Sequence, residues 1–135
     1  MRVFLSKLPA WLLTILTLLA IFWLTLAPKP LGDEPPALFP GADKIVHALM
    51  FGGLVAMMLL DWQRKHYWEK VGWQRVIVSA LLSSVLGVVI EFAQVNMDFG
   101  RSFEISDMLA DTAGAFLIGV IWINIQYLWV ERISH

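Results

Sequence analysis

The twenty residues from Val76 to Val95, VIVSALLSSVLGVVIEFAQV, carry a single acid, Glu91, and no lysine or arginine. About 20 apolar residues are what a helix needs to cross a hydrocarbon core of roughly 30 Å. In lipid the backbone must satisfy its own N–H and C=O groups, so such a run reads as a membrane-spanning helix. Three more stretches read the same way, at about 9–27, 43–62 and 107–130. The second has the shortest apolar run and reaches full length only if its helix begins near Asp43. The expected fold is all-α, a four-helix transmembrane bundle with antiparallel neighbours, in one domain over residues 1–135.

Bulk composition agrees. The 135 residues suit one domain, and 59% are hydrophobic, with a mean hydropathy of +0.69. An average soluble domain holds roughly 45–50% apolar residues. A net charge of −1 gives no basic footprint, so nucleic acid is not an expected partner. The absence of cysteine excludes disulfides, thiolate metal sites and cysteine nucleophiles. Arg2 and Lys7 precede the first apolar run, as in a signal peptide. That run exceeds the usual core of about 7–15 residues, and a cut after Ala27 would leave Pro28 at the new terminus. A retained anchor is the expectation.

The connections orient the bundle. PKPLGDEPPALFPG, residues 28–41, contains five prolines and reads as an extended connector. QRKHYWEKVGWQR, residues 63–75, is a basic loop with aromatic side chains. With the N-terminus inside, seven cations (Arg2, Lys7, Arg64, Lys65, Lys70, Arg75 and Arg132) are cytoplasmic. Only three, Lys29, Lys44 and Arg101, lie outside, as the positive-inside rule requires. Trp11, Trp62, Trp73 and Trp129 fall at the inner border, like an aromatic belt. Both termini are expected in the cytoplasm. The two hairpins share no polar pattern, so an inverted-repeat transporter is not supported.

This orientation gathers Asp43, Lys44, His47, Glu91, Gln94, Arg101, Asp107 and Asp111 at the outer end. Lys44, His47 and Phe51 share a helix face by their spacing, as do Ser84, Gly87, Glu91 and Gln94, and as do Asp107, Asp111 and Gly114. Glu91 and Asp111 lie about one turn inside their spans. A carboxylate there is costly unless paired, so these faces should point inward, with Lys44 and Arg101 as partners. Ala110 with Gly114, and Ala115 with Gly119, have the small-xxx-small spacing of close helix packing, and Gly52, Gly53 and Gly87 can serve likewise.

DKIVHALMF, starting at Asp43, followed by EFAQVNMDFGRSFEISDMLADTAGAFLIG, starting at Glu91, resembles the VanZ-like membrane proteins. Their pattern enters one helix with Asp-Lys-x-x-His, continues with Glu-x-x-Gln and an Arg, and enters the last helix with Asp-x-x-x-Asn-x-x-Gly. Asp43, Lys44, His47, Glu91, Gln94, Arg101, Asp107, Gly114 and Gly119 fit it in order, across residues 43–119. Asp111 stands where the family usually has Asn and adds an acidic group. The resemblance implies a multi-pass protein of the bacterial inner membrane. The founding member is linked to low-level teicoplanin resistance, so a part in glycopeptide tolerance or envelope homeostasis is the implied role.

Several uses of the cluster remain open. It can be a structural network that fixes helix register. It can be a site where Lys44 and Arg101 hold the phosphate or carboxylate of a lipid-linked cell-wall precursor, with His47 and Glu91 exchanging protons. That second use would make the chain a small membrane enzyme or carrier. A structural subunit of a larger membrane complex is a third class. His47, Glu91, Asp107 and Asp111 are adequate metal ligands, but no HExxH or paired-histidine motif is present, so neither metal nor cofactor is expected. Ser102 and Ser106 lack a nucleophile elbow, and a non-enzymatic role is expected. Asp98 and Glu104 are expected only to solvate the outer loop, and His66 and His135 to be surface histidines. Membrane lipids are the expected surroundings.

Overall fold

The computed structural model describes residues 2–27, 41–97 and 104–131. The helices are α1 (Arg2–Lys7), α2 (Leu12–Leu26), α3 (Ala42–Lys65), α4 (Trp73–Asn96), α5 (Ile105–Ile125) and α6 (Tyr127–Val130), with no strand among the described residues. Three segments are long and apolar enough to cross a membrane: α3, α4, and α5 continued by α6. The first expected span forms the shorter helix α2. Its 15 residues rise about 22 Å, less than a hydrocarbon core of roughly 30 Å.

Local chemistry sets these boundaries. Pro9 brings no N–H, and Trp11 takes a left-handed backbone with φ 63°, so α2 begins only at Leu12. Ala27, next to Pro28, is extended, as a residue before proline prefers. Helices take three residues from each end of the expected 63–75 loop and leave residues 66–72 between them. There Tyr67 and Trp68, at φ 53° and 63°, turn the chain back. The last expected span is jointed at Gln126, between α5 and α6.

Helix α3 lies at the centre. It packs on α2, α4 and α5, while α5 also packs on α4, and α2 rests against α4. Glycine permits the α3–α5 crossing. A Cβ on Gly114 would overlap the backbone of Ala48, and one on Gly52 would lie 2.9 Å from the Gly114 carbonyl oxygen. Gly53 faces open space and plays no such part, contrary to the expectation for it. Val55, Leu59, Val71, Val76, Ala80 and Ala115 form one buried cluster, and Ile21, Phe51, Leu54 and Ile90 another. Leu16, Leu19, Val85, Val89, Leu109 and Leu117 remain exposed. So wide an apolar perimeter is out of place in water and natural in lipid.

Alternating directions place the starts of α3 and α5 beside the end of α4. The opposite end collects the start of α2, the α3–α4 turn and α6, since Arg64 reaches Leu5 and Lys70 lies 3.2 Å from Glu131. Both described chain ends therefore share one end of the bundle.

Candidate functional site

The first turns of α3 and α5 meet at Lys44. Its ammonium contacts the carboxylates of Asp43 at 2.7 Å and Glu104 at 2.6 Å, and forms a short pair with Asp107. One turn further in, His47 Nδ1 lies 2.8 Å from Asp111 Oδ1, and its Nε2 is 3.7 Å from Asp107 Oδ2. The imidazole runs parallel to the Phe51 ring, with centroids 6.4 Å apart, so an apolar wall sets its plane. Asp111 is buried, and its carboxyl occupies space that Gly87 leaves free. A Cβ on Gly87 would come within 2.7 Å of Asp111 Oδ2.

From α4, the buried Glu91 accepts a hydrogen bond from the Glu104 backbone N–H at 2.8 Å. Glu104 thus joins the network twice, as a carboxylate on Lys44 and as a backbone donor to Glu91. The expectation that Glu104 merely solvates a loop is corrected, because a residue directly before a helix is held by both neighbouring helices. The structure brings Asp43, Lys44, His47, Glu91, Asp107 and Asp111 to one end of the bundle, with Lys44 on Asp43, Glu104 and Asp107 rather than on Glu91 or Asp111. Gln94 lies on the same helix end but donates to the Thr25 carbonyl at 2.7 Å, and so ties α4 to α2. Arg101, Asp98 and Ser102 lie outside the described residues.

The group carries five carboxyls, from Asp43, Glu91, Glu104, Asp107 and Asp111, against one ammonium and one imidazole. An ammonium has three donors, and those of Lys44 have three carboxylate partners. Ligand atoms of Asp43, Glu104 and Asp107 approach within 4.8 Å of one another, close enough for a cation site. Lys44 supplies the positive charge there.

A second polar layer occupies the opposite end. Asp61 and Arg64 form a fully buried pair on α3, at 2.6 Å. Asp61 Oδ2 also accepts from the Thr14 N–H and hydroxyl, each at 2.8 Å. Arg64 donates onward to the carbonyl of Leu5 in α1 and to those of Leu8 and Pro9 between α1 and α2. Beside it, Gln63 Nε2 donates to the Glu69 carbonyl and to Gln126 Oε1, while its Oε1 accepts from the indole N–H of Trp122. Gln126 in turn bonds both the N–H and the carbonyl of Val71. The available signal is an acid and a base three residues apart, with Asn124 and Gln126 as amides in an otherwise apolar stretch. Its place in QRKHYWEKVGWQR makes Arg64 look like one more cation of a basic loop.

No curated protein and no solved structure matches the chain. A model of the VanZ/LLP1 family does, across residues 9–127. That match takes in α2 through α5 and every side chain of both polar layers. With most of its length matched and the motif residues gathered on three helices, the chain belongs to the VanZ/LLP1 family.

Proposed function

We propose that this is a VanZ-like protein of the bacterial inner membrane, crossing it with four helices and keeping both termini in the cytoplasm. It contributes to envelope homeostasis and to tolerance of the glycopeptide teicoplanin, and the Lys44–Asp107 cluster at its outer end is the working site. Seven basic residues against three set the orientation. The observation that carries the site is the convergence of ionisable side chains from three helices at one end of an apolar bundle, with Glu91 and Asp111 buried. Groups so costly to hold in a membrane are functional candidates by default. The cluster's role is to bind and position rather than to form a covalent intermediate. If a lipid-linked phosphate or cell-wall precursor docks there, Arg101 is the cation to grip it, because the donors of Lys44 already face carboxylates.

The test is complementation of a strain lacking the protein, with His47→Gln and Asp111→Asn variants compared at matched membrane abundance. The wild-type chain should lower teicoplanin susceptibility, and either variant should fail to do so. A variant with full effect would remove the cluster from the function, and an inert wild-type chain would end the tolerance reading. Orientation is checked in the same cells: cysteine placed at Gly32 should react with an impermeant thiol reagent, and cysteine at Tyr67 should not.

A further inference from the structure

Opposite the motif cluster, a cleft of about 630 Å³ opens between α1 and the α3–α4 turn. Lys7 and Lys65 border it, with the hydroxyls of Ser6 and Tyr67 beside them and Val3 and Trp68 on its apolar side. Arg64 also reaches its wall but is committed to Asp61 and to backbone carbonyls. The two lysines are not. Among the described residues neither meets a carboxylate at ion-pair distance, and Lys65 donates only to the Leu8 carbonyl at 3.2 Å. Lys70, by contrast, faces Glu131.

From this arrangement we infer that the cleft binds the phosphate of an anionic phospholipid. Two ammoniums without carboxylate partners and two hydroxyl-bearing residues line one cleft, a donor set that suits a phosphodiester. The apolar neighbourhood selects a lipid over a soluble phosphate. Val3 and Phe4 on α1 are 71% and 67% exposed, which offers acyl chains a surface beside the head group. Trp62 and Trp73 end α3 and begin α4 at this level, where indoles favour the lipid–water border. The site rests on the reading that this end of the bundle lies at a membrane surface, but not on which side that surface faces.

The experiment is native mass spectrometry of the purified full chain, titrated with phosphatidylglycerol, phosphatidylethanolamine or inorganic phosphate. Phosphatidylglycerol should be retained in preference to phosphatidylethanolamine, and inorganic phosphate should not displace it. Each lysine removed should weaken retention about fivefold, so Lys7→Gln with Lys65→Gln should weaken it by about 25-fold. Both side chains are exposed, so the melting temperature of the lipid-free variant should not move. Lys70→Gln, outside the cleft, should bind like the wild type. Equal retention of the two lipids, an unaffected double variant, or an equal loss in Lys70→Gln would overturn the site. Displacement by inorganic phosphate would show an anion site without lipid selection and overturn it too. None of these outcomes bears on the teicoplanin result, so the two proposals fail separately.

Discussion

The two polar layers of this bundle are built from similar residue types and follow opposite rules. At the Arg64 end, one carboxylate meets one guanidinium, both side chains have 0% exposure, and the neighbouring amides pair with each other and with backbone. At the Lys44 end, acids outnumber bases, Asp43 and Glu104 reach toward solvent, and only Glu91 and Asp111 are fully enclosed. A balanced, closed layer fixes where helices sit. An unbalanced, open layer can still respond to something outside it. On the proposed reading, the first layer is scaffold and the second is site.

The largest effect is expected from Arg64→Met. It strands Asp61 in a buried setting, and removing one partner of a buried pair costs about 3–5 kcal/mol. Thermal unfolding in detergent should show that loss, and adding Asp61→Leu should restore much of it. A large loss of teicoplanin tolerance with unchanged stability would break the comparison by making this end functional.

Gly87→Ala should act at the other end and more modestly on stability. The added methyl group meets Asp111 Oδ2, and overpacking of this kind costs about 1–3 kcal/mol. The carboxyl must move away from His47, so tolerance should fall at matched abundance although the bundle stays folded. A variant with normal tolerance would mean that the His47–Asp111 contact is dispensable.

The smallest effect belongs to Asp43→Asn. Its side chain is 60% exposed, and Lys44 keeps Glu104 and Asp107 as partners. The melting temperature should stay within experimental error of the wild type. A clear drop would show the open layer to be as structural as the closed one.

Much of the architecture was legible because hydrophobic length is a coarse and strong signal. That three long apolar helices lie near the positions of α3, α4 and α5 follows from run length, and the shared faces of Lys44 with His47 and of Asp107 with Asp111 follow from helical spacing. What escaped depended on chain direction at single residues. The left-handed turn at Trp11, which shortens α2, leaves no mark in hydropathy. Gln94 carries the same spacing from Glu91 that a site residue would have, yet it faces α2. Arg64 was misjudged because charge near a helix end normally reaches water, and nothing local announces that carbonyls from residues more than fifty positions away will enclose it.

That enclosure has a consequence for how the chain is made. The carbonyls of Leu5, Leu8 and Pro9 and the hydroxyl of Thr14, which receive Arg64 and Asp61, are synthesised before α3. When the ion pair leaves the ribosome, its acceptors already exist, and the Arg64 end of α3 can settle with no charge waiting for a mate. Lys44 and His47 are in the reverse position, since Glu104, Asp107 and Asp111 follow them by about two helices. Until α5 arrives, the Lys44 end is an unfinished surface at the lipid border, so the cluster cannot assemble before the last helix is threaded into place.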